Sequence, residues 1–512
     1  MARNLTTGTP WRVIGAFAVP LLLGNVVQQL YQVTDAIVVG RTLGVDALAA
    51  VGATGSLVFL LMGFAAGMAS GFAIPTAQAF GAGDADGVRR SVAAGSLLTG
   101  AASVLLTACA PLIAGPALRL LGTPAELLPQ ATTFAMVTFL GASATMFFNY
   151  LGAIIRAIGD SRTPLVFLLV TCLINVALVL AIVRWAGFGV GGAALATVIS
   201  QALSVAMCLA YVRRRVPVLH VRRADWRVSR ATLAEHLRIG LPMGFQMSII
   251  AIGSLAVQLR LNSLGSEAVA AYTTAMRVDG IAIAVMSSLG LACSTFTAQN
   301  YGAGRLDRIR QGVVQSVVIA VGAAVVVGVV LTVAGSQIVA LFVGPGEEGV
   351  VDKAAMFLRL NGSLYSVLAV LFVLRGALQA LGRTLVPTVT GLVELGMRVT
   401  AAFVLGGAFG FAGVVWGNPL AWFGAVAILV PVYVRAHRSL RPSSPGRPIT
   451  SPGGAGHDAG HDAGRAMRAL EDADAVAAVV APVAPAFDAA QAATEAPATL
   501  AVAGDLDTGQ GR

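Results

Sequence analysis

Residues Ala77 to Gly83 read AQAFGAG, and residues Ala298 to Gly304 read AQNYGAG. The second phrase begins 221 residues after the first, and two further segments repeat at that same offset. LGVDALAAV from Leu43 is echoed by LGSEAVAAY from Leu264, and FGVGGAA from Phe188 by FGFAGVV from Phe409. A chain rich in Ala and Gly repeats short phrases by chance, but not three times at one spacing. The pattern is an internal duplication of about half the chain. Whatever fold is adopted must be built twice.

Composition decides where such a fold can live. The chain is 57% hydrophobic and 11% charged, with mean hydropathy +0.81. A soluble domain carries about 25% charged residues, so this chain cannot clothe itself for water. A bilayer core takes about 20 apolar residues of helix, and backbone in lipid must satisfy its own hydrogen bonds. Those two conditions place helices near 13–39, 47–79, 90–114, 128–155, 164–185 and 190–212, then near 236–262, 268–300, 311–334, 353–380, 385–406 and 411–435. The fold class is therefore all-α and integral to the membrane, with about twelve spans in two six-helix repeat lobes. Six is even, so both lobes enter from one side and are parallel repeats. The expected division is a lobe over 1–212, a basic linker over 213–235, a lobe over 236–438 and a tail over 439–512. That tail is Ala-, Pro- and Gly-rich and is expected to be disordered. Its GHDAG repeat, with His457 and His461, reads as low-complexity linker rather than a metal site.

The net charge of +10 rests on arginine, Lys353 being the single lysine. In a soluble protein that excess would suggest nucleic acid; here it lies between apolar runs, and no nucleic-acid partner is expected. Arg89, Arg90, Arg156, Arg162, the Arg213 to Arg230 cluster, Arg305, Arg308, Arg310, Arg383, Arg435 and Arg438 fall on one side of the expected spans. By the positive-inside rule both termini are cytoplasmic. The heavy Ala, Val and Arg usage with a single Lys suits a GC-rich bacterial genome; the expected location is the bacterial inner membrane. Four cysteines stand singly in apolar segments, so no disulfide or metal spacing exists.

Ionisable residues inside spanning helices are expensive and mark candidate sites. Asp35 comes first, in the locally polar stretch YQVTDAIVVG with Tyr31 and Gln32. Asn175 sits mid-helix in TCLINVALVL, where an amide can also simply join two helices. Glu394 and Arg398 stand four apart and can pair on one helix face, and Asp279 follows Arg277 as another candidate pair. Gln246 and Gln258 are the prominent polar residues of the seventh helix, which offers no acid matching Asp35. Pro20 and Pro242 sit at nearly the repeat offset, where each removes a backbone donor.

GAGDADGVRRS, GAGRLDRIRQG, AIGDSRTP, ALGRTLVP and GGAALATVISQ, in this order across two lobes, resemble the multidrug and toxic compound extrusion (MATE) family over about residues 10–437. The resemblance implies a V-shaped pair of bundles around a central cavity. It also implies export of amphipathic, cationic organic compounds in exchange for H+ or Na+, with no cofactor and no catalysis. In that family an Asp of helix 1 couples the cation, matched by Asp35; Asn175 matches helix 5 and Thr197 matches helix 6. Val179 occupies a position where the family commonly carries a second Asp. Sodium wants several oxygens, and one carboxylate suits a protonation switch at least as well, so the reading leans to H+ with Na+ left open. Gln32, Tyr31, Gln246, Gln258, Asp279, Glu394 and Arg398 remain candidate substrate-facing or structural groups.

Two alternatives stand beside this one. A lipid-linked oligosaccharide flippase would share the architecture but line its cavity with several cations, and few intramembrane arginines exist beyond Arg375 and Arg398. A membrane transferase would need paired carboxylates holding a divalent metal at a pyrophosphate, and none stands out. The expected partners are a small organic molecule, a coupling cation and the bilayer, with the chain acting as a monomer.

Overall fold

The computed structural model describes residues 4–185, 187–343 and 346–440, and the statements below concern those residues. The described chain is helical with no strand. The first set is α1 (Pro10–Leu43), α2 (Val45–Gly81), α3 (Ala85–Leu120), α4 (Leu128–Leu140), α5 (Ala142–Ala157), α6 (Arg162–Val179) and α7 (Gly189–Arg215). The second is α8 (Arg230–Ser263), α9 (Ser266–Gly302), α10 (Leu306–Ala340), α11 (Glu348–Ala380), α12 (Leu385–Thr400), α13 (Gly406–Phe409), α14 (Phe411–Val415) and α15 (Gly417–Ser439). By length and apolarity 11 helices can cross a membrane, and α4 with α5 supplies one more span bent by 51°. Residues 441–512 of the expected tail, with its GHDAG repeat, lie outside the described residues, while Ser439 ends the last helix.

The duplication is visible in backbone conformation. A π-helical turn follows α6 at Leu180–Trp185, and another follows α12 at Ala401–Leu405, 221 residues on. Gly83 and Gly304, the last residues of the repeated phrases, both adopt φ near +70° (73° and 68°), where a side chain would be strained. Each ends a long helix with the same turn because both copies kept the residue that permits it.

Several expected boundaries move, each for a local reason. The single helix expected over 128–155 is two, bent by 51° at Gly141, where α7 approaches so closely that a Cβ would overlap Val198. The helix expected from 236 starts at Arg230, because Ser229 caps it by accepting from the Thr232 amide at 3.1 Å. The basic linker is not loose: Val216 and Leu219 are buried, and Asp225 lies 3.6 Å from Arg89 of α3. Pro242 leaves α8 unbroken. Its missing N–H would have served the Arg238 carbonyl, which instead accepts from the Thr384 hydroxyl at 3.0 Å.

The bundle is sealed at the end where α2, α5, α9 and α11 finish. Gly81 packs onto the backbone of Gln299 and Gly302 onto that of Gln78, so closely that a Cβ on either would overlap the opposing chain. Residues of the N-terminal segment lie across this seam. The Leu5 amide donates to Gln299 Oε1 at 2.9 Å, Arg305 donates to the Thr6 carbonyl at 2.8 Å, and Arg308 donates to the Gly8 carbonyl at 2.8 Å. The first half of α1 buries Phe17 and Leu21 in the core of the second helix set, while Val39 near its far end packs with Val179 and Val183 of the first. α1 thus belongs to both cores.

Candidate functional site

Among the described residues, two polar clusters on the long apolar helices and a cavity beside one of them bear on function. The first cluster is made by α1, α6 and α7. Tyr31 and Asp35 are one turn apart and share a face of α1. Asn175 of α6 is fully buried, and its Nδ2 donates to Thr197 Oγ1 of α7 at 3.1 Å. The Thr197 hydroxyl donates in turn to the Ala193 carbonyl at 3.3 Å, and the Tyr31 hydroxyl also reaches it. Two oxygens are left without a donor: Asp35 Oδ1 and Asn175 Oδ1 are both buried and unpartnered. Buried acceptors of this kind are costly unless something supplies positive charge. Asn175 and Thr197 are thus in contact, and Asp35 is linked to them through Tyr31, its neighbour on α1. Gln32 is exposed and stands apart from them. Val179, at the position where the resemblance implies a second acid, is fully buried among Val39, Val183, Ala193 and Ala196.

The second cluster belongs to α9, α11 and α12. Asp279 is buried, and its Oδ1 accepts from the Tyr365 hydroxyl at 2.5 Å. It does not pair with Arg277, as the sequence had suggested, because neighbours two apart on a helix point to different faces. Asn361 of α11 is also buried and reaches the Asp279 carboxylate. The second helix set does hold a buried acid after all, on α9 rather than α8. Glu394 is shared: Oε1 pairs with Arg375 of α11, and Oε2 lies 3.8 Å from Arg398 one turn along α12. The Glu394–Arg398 pair foreseen from spacing exists, but the closer partner comes from another helix. Gln246 accepts from Gln379 Nε2 at 2.9 Å and donates to the Pro387 carbonyl at 3.3 Å. Gln258 turns instead to Asn262 on its own helix, at 2.8 Å.

A cavity of about 470 Å³ lies above the sealed end, between α2 and α5 on one side and α8, α9, α11, α12 and α15 on the other. Its volume suits a drug-sized ligand. Met243, Met247, Met276, Phe372 and Trp422 give it apolar walls, and Asp279, Glu394, Arg375, Arg398 and Arg156 give it charge. Sequence reasoning used Arg156 for orientation and missed it as a cavity group. It also missed Tyr365, Asn361 and Gln379. Gln379 could have been found, because it aligns with Arg156 when ALGRTLVP is set against AIGDSRTP.

The MatE family model matches residues 20–182 and 242–423, one stretch in each half. The chain belongs to the MatE family. Among curated relatives, the probable multidrug resistance protein YoeA of Bacillus subtilis is 31% identical over 403 residues, covering 77% of this chain and 87% of its own. YpnP of the same organism is 28% identical over 395 residues, with the same coverage. The multidrug export protein MepA of Staphylococcus aureus is 24% identical over 322 residues, covering 62% of this chain and 70% of its own. Among solved structures, MATE in complex with MaL6 superposes with TM-score 0.78 at 23% identity, over 85% of this chain and 98% of that one. An outward-facing multidrug resistance MATE transporter gives TM-score 0.78 at 23% identity, over 86% and 98%. At that identity the structures establish the MatE fold, a multi-pass helical membrane protein.

Proposed function

We propose that this MatE protein exports amphipathic organic compounds from a bacterial cell by alternating access, driven by inward movement of H+ through Asp35. The observation that supports this is the buried, unpartnered carboxylate oxygen of Asp35, one turn from a Tyr31 that reaches Thr197, with a second unpartnered oxygen on Asn175 beside Thr197. A proton on Asp35 would satisfy that site with one donor. Sodium would need more oxygen ligands, and Val179 supplies none. Taking both termini as cytoplasmic, from the arginine bias, the seam between Gln78 and Gln299 closes the cavity to the cytoplasm. The names of the relatives, which concern multidrug resistance and export, support the substrate class. Cationic portions of a substrate would meet Asp279, the cavity acid not committed to an arginine.

The flippase alternative is weaker. Its substrate would carry a pyrophosphate and call for several free cations, whereas Arg375 and Arg398 both lean on Glu394. The test is efflux of a fluorescent organic cation from proteoliposomes under a pH gradient or a sodium gradient, applied separately, with Asp35→Asn alongside. Efflux driven by the pH gradient and lost in the variant supports the proposal. Efflux that survives Asp35→Asn overturns it.

A further inference from the structure

Resting on the export proposal, we infer that the cavity selects amphipathic molecules bearing a carboxylate or similar anionic group, and that Arg156 is the residue that binds it. Five charged side chains line the cavity: Asp279 and Glu394 against Arg156, Arg375 and Arg398. The lining therefore carries one more positive charge than negative. Glu394 is held by Arg375 and Arg398 together, and Asp279 by the Tyr365 hydroxyl. Arg156 has no carboxylate. Among the described residues no ion pair or hydrogen bond engages its guanidinium.

Nearby acids are already spoken for. Asp160, one turn beyond the end of α5, accepts from the Thr163 amide at 3.1 Å, the Thr163 hydroxyl at 2.7 Å and the Tyr211 hydroxyl at 2.7 Å. The Arg156 side chain is directed as well. It runs back along its own helix over Gly152, where a Cβ would stand 3.2 Å from Nη1. α5 ends at the seam, so this direction aims the guanidinium away from the seam and into the cavity. Side chains on a helix lean toward its N-terminus, and glycine at 152 clears the path. In the second lobe the corresponding residue is Gln379, which is consumed by Gln246. The duplication thus left one planar five-donor fork unpaired, beside apolar walls and at the closed end of the cavity. That fork matches a carboxylate bidentately. An arginine serving only the end of α5 or the membrane orientation would have no reason to discriminate among substrates by charge.

The test uses a matched pair of dyes: a rhodamine with a free carboxylate, and the methyl ester of that same dye, which has the same body and no anion. Both are assayed for efflux in full-length protein in proteoliposomes, for parent, Arg156→Gln and Arg156→Lys. The expected result is that the parent exports the free-carboxylate dye. Arg156→Gln should lower its export by about 10-fold or more, the worth of a charged hydrogen bond, with the ester changed less than about two-fold. Arg156→Lys keeps the charge without the fork, so it should fall between; it also serves if the glutamine variant fails to elute as a monodisperse peak. Equal loss of both dyes makes Arg156 structural and overturns the inference while the export proposal stands. Export of the ester with none of the free-carboxylate dye overturns it too. If the parent moves neither dye under either gradient, the export proposal fails, and this inference with it.

Discussion

Gln78 and Gln299 hold each other's lobe with the same bond. Gln78 Nε2 donates to the Ala380 carbonyl at 2.8 Å, and Gln299 Nε2 donates to the Ala157 carbonyl at 2.7 Å. Each glutamine is the second residue of a repeated phrase, and each acceptor is the last residue of a helix, α11 or α5. Helix-terminal carbonyls lack an intrahelical donor, so the side chain from across the seam completes them. The repeated motif is thus a reciprocal latch, with one half in each copy.

Removing either half should loosen the closed end. Gln299→Ala strips two buried bonds and orphans both partners, the Ala157 carbonyl and the Leu5 amide. A loss of about 1–2 kcal/mol would raise the population open at this end by roughly 5- to 30-fold. Labelling of Ser294→Cys, in the cavity wall, by an impermeant maleimide applied from the N-terminal side would report it. Unchanged labelling in Gln299→Ala and Gln78→Ala would remove the latch from consideration.

Glycine contacts at the seam are a sharper probe. Gly81→Ala and Gly302→Ala place a methyl group into opposing backbone that cannot yield. Overpacking costs about 1–3 kcal/mol, and here it acts only on the closed state. Transport should fall while thermal stability in detergent stays within a few degrees of the parent. Normal turnover in both variants would show that this close backbone approach is not needed for export.

Glu394 compensates two guanidinium groups at 4% exposure. Glu394→Gln leaves Arg375 and Arg398 facing each other without their shared anion, a change worth about 3–5 kcal/mol when a buried pair is broken. A marked drop in Tm is expected, partly recovered in Glu394→Gln with Arg375→Met. A double-mutant cycle reads the coupling directly; additive effects would mean the pair is not closed in the membrane.

Asp160 supplies a pH dependence outside the spanning helices. Burial pushes its carboxyl up, but hydrogen bonds from Thr163 and Tyr211 outweigh this and hold it below its ordinary value. A depressed folded value means stability that is present above the unfolded pKa of about 4 and is lost as pH falls through the folded one. Thermal stability should therefore decline below about pH 4 in the parent, and less steeply in Asp160→Asn. Parallel pH profiles for the two would show that Asp160 does not titrate with folding.

Local sequence determined the architecture. Helix existence follows from apolar length, and the lobe repeat follows from one shared offset, so both were legible before any coordinate. The cluster of Asp35, Asn175 and Thr197 was accessible only through the resemblance, since its members lie on three helices. Spacing within one helix found Glu394 with Arg398, but not Arg375, which reaches Glu394 from α11. It paired Asp279 with Arg277, whereas the partner is Tyr365, 86 residues away. Which face of a helix meets which neighbour depends on its rotation and tilt in the packed bundle, and apolar runs of nearly uniform hydropathy do not encode that rotation. The tertiary structure alone decided that the repeated phrase is a seam, that α1 serves both cores, and that Arg156, one of many arginines in sequence, is the one left facing a cavity without an anion.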